Sequence, residues 1–297
     1  MQIPKPLQLC IGLLLLLFST QLQARQAGKV LESRTLNSTI LGKAVRYTIY
    51  LPADYETSER YYPVVYLLHG YTDNDMGWLQ FGEINRYADK AIAEGTIPPM
   101  IIVMPNADSS FYINSFDGKQ KYEDFFITEF IPGIEKTYRI RSAKQFRGVA
   151  GLSMGGYGTL IYSLKHPDMF AAAAPLSAAV FDDSTIVNMP QPGWNVPLGR
   201  VYGTDLKGKQ RLTTTWYENS ILKIVEKKTA AELKKVRYWI DCGDDDFLIK
   251  GNCLLHIALT EKQVPHEFRV RDGVHDWNYW RSGIVDALQF IGKSFHQ

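Results

Sequence analysis

The chain has 297 residues, 45% of them hydrophobic, with 33 Lys and Arg against 31 Asp and Glu. That length and apolar content can bury a large core within one domain. A net charge of +2 with no basic run or acidic tail speaks against nucleic acid or another polyanion as a partner.

The N-terminus has three parts: Lys5 in a short positive region, an apolar run from Leu9 to Phe18, and Leu22-Gln23-Ala24 ending on a small residue. This is the pattern of a secretory signal peptide over residues 1–24, leaving 25–297 as a single domain in the periplasm or medium. The apolar run is too short for a bilayer, which takes about 20 residues, so no stable membrane insertion is expected after cleavage. An uncleaved anchor is the alternative. Cys10 lies inside the apolar run and not after a small-residue motif, which argues against a lipoprotein. Loss of Lys5 with the signal leaves a net charge of +1, from 32 basic and 31 acidic residues.

A hairpin is expected next, from Val30–Leu36 and Ala44–Leu51 with a turn near Gly42. Strands follow at Pro63–Leu68, Met100–Met104, Phe146–Ala150, Phe170–Pro175, Val236–Cys242 and Glu267–Arg271. Helices are predicted between and after them, over 122–138, 157–166, 219–228, 252–262 and 277–295, and Glu226–Lys235 reads as a solvated helix face. Strands alternating with helices predict an α/β fold with a mostly parallel central sheet covered on both faces. The stretch of about 181–217, rich in Pro, Gly, Asp and Thr, is predicted to be an irregular loop that forms one wall of a cleft.

Chemistry enters at the strand ends. Val64–Leu68 runs into His69-Gly70-Tyr71, and Phe146–Ala150 into Gly151-Leu152-Ser153-Met154-Gly155. The second run is a G-x-S-x-G nucleophile elbow, in which a serine stands on a sharp strand-to-helix turn with its Oγ exposed above the sheet. In such a site the N–H after the nucleophile, here Met154, pairs with an N–H from the loop after the early strand. Tyr71 is the natural second donor, because Gly70 lets the backbone come close. His69 is read as a structural residue that ties this loop down.

The partners follow in the order Ser, acid, His that the fold requires. His275 sits just past Glu267–Arg271, and the strand 236–242 leads through Gly243 into Asp244-Asp245-Asp246. Structural roles are expected for His166, His256, His266 and His296. Among the nearby acids, Asp241 lies too early in its strand. Asp276 is adjacent to His275 and should point elsewhere, and Asp244 falls within the turn. Asp246 is favoured because Phe247-Leu248 after it can anchor the loop on the core, with Asp245 the runner-up. Cys242 and Cys253 can pair in an oxidising compartment, but Cys242 ends a buried strand, which favours a free thiol.

His69-Gly70, Trp78, Gly151–Gly156, Cys242–Phe247 and His275–Trp280 together resemble the esterase D-like family of α/β-hydrolases, from about Leu31 to the C-terminus. That family includes feruloyl and acetylxylan esterases, S-formylglutathione hydrolase, tributyrin-type esterases, enterochelin esterases and mycolyltransferases. The resemblance implies a serine hydrolase of carboxylic esters with Ser153, Asp246 and His275 as triad and Tyr71 and Met154 as oxyanion donors. It implies no metal and no cofactor.

The expected substrate is a small ester or an acylated plant polysaccharide carrying acetyl or feruloyl groups. Acyl transfer as in the mycolyltransferases, and a general short-chain tributyrin-type esterase, use the same residues. S-formylglutathione hydrolysis is disfavoured by the export signal. A carbohydrate-binding protein on a dead hydrolase scaffold is disfavoured because every catalytic position is filled. Trp78, Phe111, Tyr112 and Trp194 are the candidate substrate contacts. Trp277 and Trp280, three apart on the last helix, point to a face that docks on the sheet.

Overall fold

A computed structural model describes residues 27–295. The expected signal segment and His296 lie outside the described residues. Eight strands form one sheet in the order β1-β2-β4-β3-β5-β6-β7-β8. They are β1 (Lys29–Ser38), β2 (Lys43–Leu51), β3 (Val64–Leu68), β4 (Ile101–Pro105), β5 (Arg147–Leu152), β6 (Ala172–Leu176), β7 (Arg237–Gly243) and β8 (His266–Arg271). β1 and β2 form the antiparallel hairpin, turning at Gly42 with φ 62°, and β2 also runs antiparallel to β4. Every pairing from β4 through β3 to β8 is parallel. All six of those strands therefore end on one edge. Chain order reverses around β3, which lies between β4 and β5, and a crevice at such a switch point is where open α/β sheets bind ligands.

β3, β4, β5 and β6 are buried along their whole length, as their near-continuous apolar sequences require. One face packs α1 (Ile84–Ala93) and α2 (Trp277–Ser294) around Ile84, Ala88, Trp280, Ile284 and Leu288. The other packs α3 (Met154–Lys165) and α4 (Ile249–Glu261) around Leu160, Ile161, Leu255 and Leu259. α3 is buried on all sides from Met154 to Leu164, so it carries no amphipathic stripe. The helix expected over 122–138 is α-helical at both ends with a π-helical turn, Phe126–Phe130, in its middle.

Residues 181–217 differ from expectation. They hold four short α-helices, Asp183–Asn188, Gln191–Asn195, Gly199–Tyr202 and Thr214–Asn219, with a 3-10 turn at Gly208–Arg211. Arg211 organises them. Its side chain is 2% exposed, and its guanidinium donates to the carbonyls of Leu206, Ile186 and Met189 and to Gln191 Oε1 at 2.6–2.9 Å. Those carbonyls come from turns and helix ends that have no intrahelical donor, so one buried cation replaces several missing backbone bonds. The helix predicted over 219–228 is split at Ser220, and α4 begins at Ile249, three residues before the predicted start. Cys242 and Cys253 are free thiols.

β7 and β8 are joined below the sheet edge by a two-point ion pair. Arg271 Nε and Nη2 donate to Asp241 Oδ2 and Oδ1 at 3.0 and 2.9 Å, and Asp241 is fully buried. Asp241 thus lies within the strand, as the sequence reading placed it. Removing Arg271 leaves the fully buried Asp241 charge without compensation, whereas Arg271 is 30% exposed and also bonds Ser282 Oγ. Arg271→Met should lower unfolding free energy by about 3–5 kcal/mol and Asp241→Asn by less, read from urea midpoints at constant m-value. A loss under about 1 kcal/mol in both would refute this.

Candidate functional site

The site is assembled at the parallel strand ends. β5 turns into α3 at Ser153, whose backbone has φ 55° and ψ −114°, an unusual conformation for a residue with a side chain. Ser153 N–H donates to Leu176 O, and its carbonyl accepts from Tyr157 and Ala179 N–H. A Cβ at Gly155 would come within 2.4 Å of Leu68 O, which explains the second glycine of the elbow.

Ser153, His275 and Asp246 are brought together. His275 Nε2 lies 2.9 Å from Ser153 Oγ, and His275 Nδ1 lies 2.8 Å from Asp246 Oδ2. An ionised carboxylate only accepts, so the Nδ1 proton is directed to Asp246 and Nε2 is left to accept from the serine hydroxyl. Asp246 is 1% exposed. Burial pushes its carboxyl pKa up, but hydrogen bonds from His275, the Leu248 N–H and Ser177 outweigh this and hold it below the usual value.

Two loops must agree for this contact to form, and they are stapled to each other. Asp244 N–H donates to Arg271 O, Asp245 N–H to Gly273 O, and Gly273 N–H to Asp244 Oδ1. A Cβ at Gly243 would meet Gly273 O at 2.2 Å, so the loops cross in contact. Asp276 is turned away from the serine, since its Oδ1 caps α2 by accepting from Tyr279 N–H at 2.9 Å. Leu248 is buried as expected, whereas Phe247 is 74% exposed and does not anchor the loop on the core. Its ring instead lies 4.6 Å from the His275 ring.

The loop after β3 reaches the same point. His69 is buried; its Nε2 accepts Ala107 N–H at 2.9 Å and its Nδ1 donates to Gly70 O at 2.8 Å. Burial lowers its pKa to about 4, so it is a neutral tie, as expected from the sequence. A Cβ at Gly70 would lie 2.6 Å from Leu152 Cδ1 and 3.7 Å from Ser153 Cβ, which shows how closely this backbone passes the serine. Among the described residues, neither Tyr71 N–H nor Met154 N–H has an acceptor. The Tyr71 hydroxyl donates to Val196 O at 2.8 Å, bridging to the short-helix segment.

An apolar cavity of about 180 Å³ opens at Ser153, walled chiefly by Phe111, Phe181, Met189, Leu198, Phe247 and Leu248. Of the four aromatic candidates, only Phe111 lines it. Trp78 is 0% exposed and donates from Nε1 to Leu68 O, and buried Trp194 donates to Gly203 O. Tyr112 is also buried, with its hydroxyl on His69 O. These three are scaffold, because each is buried and spends its polar atom on a backbone carbonyl. Phe181, Met189 and Leu198 were not singled out by sequence; their only signal was membership of the segment expected to wall the cleft.

Among the described residues, Asp244, Asp245 and Asp272 bring carboxylate oxygens within 4.8 Å of one another, all at exposed positions. No helix of the described residues is long and apolar enough to cross a membrane. His166 pairs with Glu123, and His256 with His266, both away from Ser153.

The neighbouring acids are separable by substitution. Asp246→Asn should leave the fold intact and lower kcat by up to about 10⁴-fold, because the imidazole loses its orienting charge. Exposed Asp245 makes no contact with His275, so Asp245→Asn should change kcat less than about tenfold. Steady-state kinetics on a short p-nitrophenyl ester decides, and the reverse pattern would transfer the role to Asp245.

Comparison with known proteins gives the arrangement its family. An acetyl esterase of Caldicellulosiruptor saccharolyticus is 26% identical over 229 residues, covering 77% of this chain and 83% of its own. A solved ferulic acid esterase superposes with a TM-score of 0.79 at 37% identity, covering 91% of this chain and 99% of its own. A fluorophosphonate-binding serine hydrolase of Staphylococcus aureus superposes with a TM-score of 0.75 at 27% identity, over 89% and 98% of the two chains. The family model described as "Putative esterase" matches residues 38–291. The chain belongs to that esterase family of α/β-hydrolases and is a carboxylic ester hydrolase.

Proposed function

We propose that the protein is an exported esterase that removes short or flat acyl groups, acetyl or feruloyl, from plant polysaccharides or their fragments. The observation that carries this reading is the Ser153–His275–Asp246 relay at the mouth of a small apolar cavity. Its volume, about 180 Å³, is below the roughly 300–1,000 Å³ of sites for drug-sized ligands. It suits an acyl group of few atoms or a flat ring. The acetyl and ferulic acid esterases similar to this chain support the same choice.

In the proposed reaction Ser153 Oγ attacks the acyl carbon as its proton passes to His275 Nε2. The carbonyl oxygen becomes the oxyanion of a tetrahedral intermediate, held by the N–H groups of Tyr71 and Met154; removing one such donor typically costs about 10²–10³ in kcat. His275 then gives its proton to the alcohol oxygen as the C–O bond breaks, leaving an acyl-Ser153. Water repeats the sequence and releases the acid. Asp246 remains a carboxylate throughout and stabilises the imidazolium.

A fluorophosphonate probe should label the protein on Ser153. Ser153→Ala should abolish labelling and turnover, and His275→Ala should cost nearly as much, because the members act as a unit. Wild-type labelling of the alanine variant would sink the proposal.

With p-nitrophenyl esters of rising length, kcat/KM should fall steeply beyond butyrate, because the apolar walls close around a short group. A maximum at palmitate would mark a lipase instead.

Export is proposed on the tripartite N-terminus, with cleavage after Ala24. The intact mass of protein from periplasm or medium should correspond to a chain beginning at Arg25, and a full-length cytosolic chain would rule this out.

A further inference from the structure

A second cavity, of about 460 Å³, opens on the other side of Ser153 and shares Tyr71 and Ser153 with the apolar one. Its walls are different: Thr72, Asp73, Phe81, His275, Asp276 and Trp277 line it. An ester bound at Ser153 Oγ must send its acyl and alcohol halves in different directions. His275, which protonates the leaving oxygen in the proposed mechanism, lines this cavity and not the apolar one. The alcohol half therefore faces the second cavity. This step rests on the proposed role of Ser153 and His275.

The lining indicates which alcohol. Phe81 is 50% exposed, and its ring lies 5.9 Å from Trp277 at a tilt of 36°. Trp277 is braced edge-on by Trp78 and Trp280, with centroids 5.2 and 5.3 Å away. The pair offers a supported aromatic wall to an apolar ring face. Asp73 supplies the acceptor. Its carboxylate folds over Gly77, where a Cβ would lie 2.6 Å from Asp73 Cγ, Oδ1 and Oδ2, so only glycine leaves room for it. Among the described residues no side-chain donor or cation reaches that carboxylate. Burial raises its pKa, opposed in part by the Asn74 N–H. Asp276, by contrast, is occupied as the cap of α2.

A half-buried carboxylate with a backbone N–H but no side-chain donor as partner, beside aromatic faces and next to Ser153, suits a neutral polyol. Hydroxyls donate to the carboxylate while C–H faces pack on the rings. A cationic alcohol is disfavoured by Arg281, which sits on the same rim and donates to Phe81 O at 2.7 Å. We infer that this cavity is the alcohol subsite, and that Asp73 with the Phe81 and Trp277 rings selects a sugar over a simple alcohol.

Three acetates that share one acyl group test this: methyl acetate, a monoacetylated methyl xyloside and acetylcholine. Asp73→Asn, nearly isosteric, should lower the xyloside-to-methyl ratio of kcat/KM by at least about tenfold, mainly through KM, as loss of hydrogen bonds to a charged group predicts. Phe81→Ala, at an exposed ring, should lower the same ratio by at least about threefold. Unchanged thermal melting of both variants excludes a folding defect. A wild-type enzyme that cleaves methyl acetate but not the xyloside ester overturns the carbohydrate reading, and this inference with it. A wild-type preference for the xyloside that neither substitution moves overturns the subsite alone. A greater loss on acetylcholine than on the xyloside marks a cation site and overturns the sugar assignment.

Discussion

Everything at the active edge is built around the backbone of Ser153. A side-chain-bearing residue at φ 55° and ψ −114° costs on the order of 1–3 kcal/mol, which the surrounding structure must offset. Close packing does so. A Cβ at Gly151 would lie 2.6 Å from Gly155 O, and one at Gly156 would lie 2.8 Å from Leu176 O. The elbow is thus wedged between the ends of β3 and β6, with no slack in which the turn could relax. Oγ has a fixed height above the sheet, so His275 and Asp246 must be brought to it.

Delivery depends on the far strands. Asp246 and His275 follow β7 and β8, and neither of these strands borders β5. A small rotation of either loop would break a 2.8 or 2.9 Å contact. The Asp241–Arg271 pair fixes the strands beneath the edge, and the Asp244–Gly273 and Asp245–Gly273 bonds fix the loops above it. This gives the run of three aspartates a division of labour. Asp244 accepts across the crossing, Asp245 lends its N–H to it, and Asp246 reaches the histidine. Such preorganisation holds Ser153, His275 and Asp246 in the geometry that the proposed mechanism requires.

The parts that could be read from sequence are those governed by local chemistry. The glycines of the elbow, the Ser–acid–His order and the apolar strands each have a short-range physical cause, and their places in the fold follow from it. The placement of Asp246 beside His275 was legible for a related reason: a turn at Gly243 needs residues before the chain can reach back over the edge. What failed was anything decided by distant partners. Helices of four to six residues lack the length for a periodic signal and are marginal alone. Arg211 ties the segment 181–217 together by bonding Ile186 O in the first helix, Met189 O and Leu206 O in the turns and the Gln191 side chain of the second helix, and nothing around Arg211 in the sequence announces that role. Trp78, Tyr112 and Trp194 were misread because an aromatic in a loop has the same sequence whether it faces a ligand or plugs the core. Their burial is set by the carbonyls of Leu68, His69 and Gly203. Phe247 shows the converse, an apolar residue expected inside that lies outside over His275.

Tyr71 connects these levels. Its backbone belongs to the turn held by His69, it lines both cavities, and its hydroxyl is bonded to Val196 O. Val196 lies in the segment that Arg211 organises, and Met189 and Leu198 of that segment wall the apolar cavity. In the proposed mechanism the Tyr71 N–H is an oxyanion donor, so that donor and the acyl wall are parts of one connected structure. In that mechanism an acyl group that fills the cavity presses on the same segment that fixes Tyr71. One that is too long displaces it, and the cost then falls on the transition state as well as on binding. Discrimination of this kind appears in kcat, because contacts remote from the reacting carbon are used to hold the groups that act on it.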